Sequence, residues 1–311
     1  MTADLQKNDG PRGVQRSDMF TPEQVATADG SCRLVRGPAA GPPLLFLHGV
    51  GRCWQDFVPL MTALSSRWQV CGLDFRGHGR SSRTPDKYLV RDYVRDALSA
   101  FRHIGQPIVL YGHSLGALVA ALSAAELGDQ VRGAILEDPP LETLGPGIEQ
   151  TPFYAFFQLM RAVCASSLDV RALAQHLADA RVPATGFPDG VRVGDVRDGA
   201  SLRFFAACLK RIDPQLWEPL LAGRWLEGYH LDQELPKIAC PTLLLQGDVL
   251  QGGMLEDGAA CRAERLIPDC IRIPVAGVGH LIHTLKHEET VRLGTGFLES
   301  IALTDPLFDR G

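Results

Sequence analysis

The run Ile108-Val-Leu-Tyr111 passes into Gly112-His113-Ser114-Leu115-Gly116 and then directly into the Ala- and Leu-rich stretch Leu115–Leu127. A short continuous apolar run reads as a strand buried on both faces, and Ala/Leu enrichment reads as a helix. No residues are left over for a loop, so G-x-S-x-G must make the whole strand-to-helix turn. A turn that sharp puts Ser114 in a strained backbone position. Its neighbours two places away must then lack a Cβ, as Gly112 and Gly116 do. The turn lifts the Ser114 hydroxyl clear of the sheet edge. It also places the Leu115 amide at a helix N-terminus, where free N–H groups favour an anion.

The flanking sequence repeats this strand–helix rhythm. Asp29-Gly30 between alternating runs predicts an early hairpin. Apolar strands are expected at 44–47, 70–73, 108–111, 131–136, 242–246 and 271–273. Helices are expected at 54–66, 89–104, 115–127, 257–267 and 284–302. Strands alternating with helices predict an α/β fold with a mostly parallel sheet. Residues 139–235 break the rhythm with helical runs at 151–165, 168–180, 200–211 and 214–222, and no convincing strand. The expected organisation is a flexible extension over 1–18, a core from 19–138 and 236–311, and a helical insertion over 139–235.

Two further Gly-flanked turns follow strands. His48-Gly49-Val50-Gly51 can aim a backbone amide, that of Val50, at the Ser114 region as a second oxyanion donor beside Leu115. Gly277-Val-Gly-His280 presents a histidine after a strand and downstream of Ser114. A serine needs an adjacent base, and imidazole has the fitting pKa, so His280 is the candidate base. His113 and His78 read as structural, and His283 and His287 as surface or supporting residues on the last helix. The eight cysteines form no Cys-x-x-Cys pair and no zinc-finger spacing. They read as reduced thiols, with no metal or other cofactor expected. A net charge of −5 argues against nucleic acid as a partner, and no apolar run is long enough to span a membrane. The start lacks the apolar core of a signal peptide, so a cytoplasmic location is expected, as a monomer or homodimer.

With these residues in view, the sequence closely resembles the α/β-hydrolase superfamily over about residues 20–305. The resemblance rests on His48-Gly-Val-Gly51, Asp74-Phe-Arg-Gly-His-Gly-Arg-Ser81, Gly112-His-Ser-Leu-Gly116 and Gly279-His280, in that order. It implies an α/β-hydrolase fold. Its sheet would have eight strands, mostly parallel with the second antiparallel, and helices on both faces. A helical cap would follow strand six. It also implies a catalytic triad in the chain order Ser, acid, His, with Ser114 on a nucleophile elbow. The family usually places the acid three residues beyond the Gly that follows strand seven, but here that position is Leu250. Asp248 lies near it. Some members, including certain haloalkane dehalogenases, carry the acid after strand six, where this chain has Asp138. Asp138 is preferred and Asp248 is the alternative. Glu137 should face away from Asp138 by the two-residue period of a strand.

The insertion is rich in aromatic side chains, which suggests an apolar roof with Phe157 and Met160 lining it and Trp54 bordering the site. The expected activity is metal-independent hydrolysis of a hydrophobic small-molecule carboxylic ester, lactone or thioester. Ser114 would form an acyl-enzyme and His280 would act as general base. A carbon–carbon bond hydrolase of aromatic degradation is the alternative enzyme class. Such enzymes usually carry Asn before the nucleophile, where this chain has His113. A non-catalytic ligand receptor on the same fold is the third reading.

Overall fold

The computed structural model describes residues 19–305 except 185 and 186; the expected extension over 1–18 lies outside the described residues. Strands β1 (Thr21–Thr27) and β2 (Gly30–Arg36) form the hairpin, with Thr27 paired to Gly30 across the turn. Then come β3 (Pro43–Leu47), α1 (Val58–Leu64), β4 (Gln69–Asp74) and α2 (Val90–Ile104). They are followed by β5 (Ile108–His113), α3 (Leu115–Leu127) and β6 (Val131–Glu137). After the insertion come β9 (Thr242–Gly247), a helix over Asp257–Leu266, β10 (Cys270–Val275), and helices over Ile282–Leu285 and His287–Thr304. The sheet order is β1-β2-β4-β3-β5-β6-β9-β10. Only β2 runs antiparallel to its neighbours; the other pairings are parallel. The eight-stranded, mostly parallel sheet therefore stands as expected.

The continuous apolar runs form central strands because the sheet is covered on both faces. Leu44, Phe46, Val109, Tyr111, Leu243 and Leu245 point into one core, with α1 and the last helix. Leu45, Leu47, Leu110, Leu136 and Leu244 point into the other, with α2, α3 and the inserted segment. Every residue of β3, β5 and β9 is buried.

Between β6 and β9, helices form at Phe153–Cys164, Val170–Asp179, Gly199–Leu209 and Trp217–Leu221. The segment also holds an antiparallel hairpin of β7 (Arg181–Ala184) and β8 (Phe187–Arg192), which corrects the all-helical expectation. Pro183 and Pro188 lie in this hairpin. Both strands of a two-stranded ribbon are edges, where a missing N–H is tolerated. The last helical stretch breaks at Lys286, with φ −123° and ψ 47°, so His283 and His287 belong to different helices.

Gly116 sets how closely α3 approaches the sheet, since a Cβ there would lie 1.8 Å from the Leu47 carbonyl oxygen. Gly116→Ala is expected to cost about 3 kcal/mol or more in urea unfolding. Gly296→Ala, where a Cβ would meet nothing within 4 Å, should be neutral or stabilising by up to about 1 kcal/mol.

Candidate active site

Ser114 has φ 56° and ψ −117°, one of the few non-glycine residues with positive φ. The turn is held from both sides. The Ser114 amide donates to the Glu137 carbonyl at 2.9 Å, and the Ser114 carbonyl accepts from Ala117 and Leu118. A Cβ at Gly112 would sit 2.1 Å from the Gly116 carbonyl oxygen, so both flanking glycines are sterically required. Leu115 is the first residue of α3, so its N–H has no acceptor within its own helix.

His280 Nδ1 lies 2.6 Å from Asp138 Oδ2. Ser114 and His280 border one cavity, so the structure brings together Ser114, His280 and Asp138, which follows β6. Asp138, with φ 44°, is fully buried. Its carboxylate also accepts from the amides of Gly247 (3.0 Å), Met254 (2.7 Å) and Leu255 (3.3 Å). Burial pushes its pKa up, but His280 and the amides outweigh burial and hold the carboxyl below its ordinary value. Asp248 lies apart from this cluster. Its Oδ1 accepts from the Leu250 amide at 2.9 Å, and its own amide donates to the Val278 carbonyl at 2.7 Å. It is a turn residue bonded to its own backbone.

The turn after β3 is supported from below by the Asp74–Ser81 motif. His78 donates from Nδ1 to the Arg76 carbonyl at 2.9 Å and accepts from the Gly51 amide on Nε2 at 3.2 Å. His48 donates from Nδ1 to the Gly49 carbonyl at 2.8 Å and accepts from the Phe75 amide at 3.2 Å. A carbonyl only accepts, so both tautomers follow from their partners. Burial keeps both rings neutral, with pKa values near 3 for His48 and 4 for His78. Asp74 receives the Trp54 and Arg80 amides at 2.9 and 3.1 Å. Arg76 is clamped by Asp96 and Asp29.

Ser114 and His280 open into a cavity of about 40 Å³ bordered by Val50, Arg52, Phe156, Phe157, Arg197 and Phe205, among others. Phe157 is placed there as expected. Met160 is not; it is buried in the core behind the helix that carries both. Trp54 is also absent from the wall, with its ring 5.4 Å from that of Phe20 in the opposite core. Sequence reasoning missed Arg52 and Arg197, since isolated arginines carry no motif. A larger cleft of about 650 Å³, lined by Glu142, Arg224, Tyr229, His230 and Arg262 among others, lies away from Ser114 and His280.

Behind the elbow runs a buried ladder of charge. Tyr111 donates to Glu137 at 2.6 Å, and Glu137 accepts from His283 Nδ1 at 2.8 Å and from the His283 amide at 2.9 Å. His283 Nε2 lies 3.5 Å from Asp56, and Asp56 lies 3.4 Å from Arg52. Burial alone would lower the His283 pKa, but Glu137 and Asp56 outweigh it and raise the value to about 10. Glu137 does face away from Asp138. His113, neutral because buried, donates from Nε2 to the His280 carbonyl at 2.8 Å and so braces the loop that carries the imidazole.

Residues 44–293 match the model of the alpha/beta hydrolase family. The chain belongs to that family and is a hydrolase. It is 27% identical over 281 residues to 2-(acetamidomethylene)succinate hydrolase of Mesorhizobium japonicum, covering 86% of this chain and 91% of that protein. The crystal structure of E-2-(acetamidomethylene)succinate hydrolase superposes with a TM-score of 0.68 at 22% identity, covering 90% and 99% of the two chains. The enol-lactonase from Burkholderia xenovorans LB400 gives a TM-score of 0.70 at 17% identity, covering 89% and 100%. No helix among the described residues is long and apolar enough to cross a membrane.

The ladder carries a pH signature. His283 has a folded pKa of about 10 against an ordinary 6.5. Its contribution is fully present below about pH 6.5 and is lost as pH rises through about 10. Wild type should therefore lose more stability over that window than His283→Gln. At neutral pH the variant should be less stable by about 3–5 kcal/mol, because Glu137 and Asp56 lose their counter-charge. Urea melts across pH measure both effects.

Proposed function

We propose that this chain is a serine hydrolase of small carboxylic esters, lactones or thioesters. The observation that carries this reading is the 2.6 Å contact of His280 Nδ1 with Asp138 in the cavity that holds Ser114. Asp138 accepts from Nδ1–H and leaves Nε2 free to act as base. His280 takes the Ser114 proton as Oγ attacks the carbonyl carbon. The tetrahedral oxyanion is received by the amides of Val50 and Leu115. Collapse expels the alcohol or thiol, which takes the proton from His280. Water, deprotonated by the same imidazole, then cleaves the acyl-enzyme and restores Ser114. The imidazolium formed in each half-reaction is stabilised by Asp138, whose depressed pKa keeps it ionised.

The segment over 139–235 serves as the cap. It contributes Phe156, Phe157, Arg197 and Phe205 to the wall and restricts water around the reacting carbonyl. A cytoplasmic setting and free, mostly buried thiols suit this chemistry, which uses only the side chains and amides named here.

A fluorophosphonate probe should label Ser114, and Ser114→Ala should abolish labelling and lower turnover by at least about 10⁴-fold. A folded wild-type chain that resists the probe would overturn the assignment of Ser114 as nucleophile. Asp138→Asn should cost several orders of magnitude in kcat while Asp248→Asn costs little. The reverse pattern would move the acid to β9.

A further inference from the structure

Two arginines reach the cavity, Arg52 from the turn after β3 and Arg197 from the inserted segment. Their guanidinium carbons lie 4.7 and 5.8 Å from the centroid of the same Phe205 ring. Their charge environments differ. Arg52 is paired with Asp56, Asp56 also faces His283, and His283 is held by Glu137. That ladder holds two cations and two anions and is neutral. Asp138 is committed to His280. Arg197 is left over: among the described residues no carboxylate or hydrogen-bond acceptor meets its guanidinium. Burial and repulsion from Arg52 lower its pKa to about 10, so it stays charged at neutral pH. Arg197 is half-buried, and a partly desolvated cation without a counter-ion attracts an anion; here it borders the cavity of the proposed nucleophile.

Resting on the serine-hydrolase reading, we propose that Arg197 binds a carboxylate on the substrate, which is therefore a small acidic ester, lactone or thioester rather than a purely hydrophobic one. One unmatched positive charge suits one carboxylate, which a guanidinium fork can grip with two hydrogen bonds. A phosphate dianion would need a second free cation, and Arg52 is already committed. Phe205 places an apolar ring beside the guanidinium, 5.8 Å from centroid to carbon, so the anion meets the donors next to an apolar surface. The cavity beside Ser114 is small, about 40 Å³. It therefore suits a short acyl chain.

The test compares monomethyl succinate with methyl 4-oxopentanoate, in which a methyl ketone replaces the carboxylate. Acid release is followed by pH-stat for wild type, Arg197→Ala and Arg197→Lys. Wild type should favour the acidic ester in kcat/KM by about tenfold or more, and Arg197→Ala should erase that ratio, chiefly through KM, by about tenfold. Arg197→Lys should keep part of it. In parallel, millimolar succinate should slow fluorophosphonate labelling of wild-type Ser114 but not of Arg197→Ala, and neutral succinamide should slow neither. Equal use of the two esters by wild type overturns the proposal. So does a ratio unchanged in Arg197→Ala, or succinate protection that is absent or independent of Arg197. If neither ester is turned over, the protection result decides. Labelling of Ser114 without any charge preference removes only the carboxylate subsite, whereas absence of labelling in a folded chain removes the hydrolase reading beneath it.

Discussion

Ser114 and Asp138 are held at φ 56° and 44°, and the arrangement of the site depends on the sheet keeping them there. A non-glycine residue in that region costs on the order of 1–3 kcal/mol. Here the ends of adjacent strands supply the restraint. The Ser114 amide ties the end of β5 to the Glu137 carbonyl on β6, and the Asp138 amide ties β6 to the Leu245 carbonyl on β9. The Asp248 amide ties the loop after β9 to the Val278 carbonyl just before His280. Each turn that carries a functional side chain is thus stitched to its neighbour by a backbone bond. The three side chains hold their spacing because the strands that bear them cannot slide.

Glu137 and Asp138 show how a strand divides labour between adjacent carboxylates. They point to opposite faces. Asp138 collects three amides and one imidazole; Glu137 collects a phenol, an amide and a cationic imidazole. Both are ionised in the interior, and each would be strongly destabilising without its own partners. Their pairing is kept separate. The Glu137 ladder is neutral in itself, so the ion pairs behind the elbow add no net charge to the surroundings of Asp138.

Much of this was readable in the sequence. The buried strands announced themselves as continuous apolar runs, and Gly112, Gly116, Val50 and His280 stood in turns whose chemistry is local. The acid was not decidable from sequence, because Asp138 and Asp248 both follow strands at the sheet's carboxyl end. The choice depends on where each side chain turns. Asp248 has a backbone amide two residues on to bond, whereas Asp138 is followed by Pro139 and Pro140, which have no N–H to offer. Its carboxylate goes instead to amides more than a hundred residues away. The hairpin of β7 and β8 was hidden because proline in a two-stranded ribbon looks like proline in a loop. Met160 and Trp54 lie outside the cavity wall because composition and nearness in sequence to a turn say that a side chain is apolar or close by, not which apolar surface it meets.

The arginines pose the hardest case for sequence reasoning. Arg52 and Arg197 lie 145 positions apart and meet over one aromatic ring only because the inserted segment folds back across β3. Nothing in either local sequence separates a solvated arginine from one enclosed beside a nucleophile. What separates them is the sum of charge around each, and that sum exists only once the chain is folded. Aromatic enrichment in the insertion pointed to an apolar roof, and Phe156, Phe157 and Phe205 of the insertion border the cavity. Phe205 of the same aromatic surface lies beside the half-buried Arg197, and apolar surface near a charge strengthens its pull on an incoming anion. An apolar wall and an acidic ligand are therefore compatible: the wall surrounds a half-buried cation that has no ion-pair partner among the described residues.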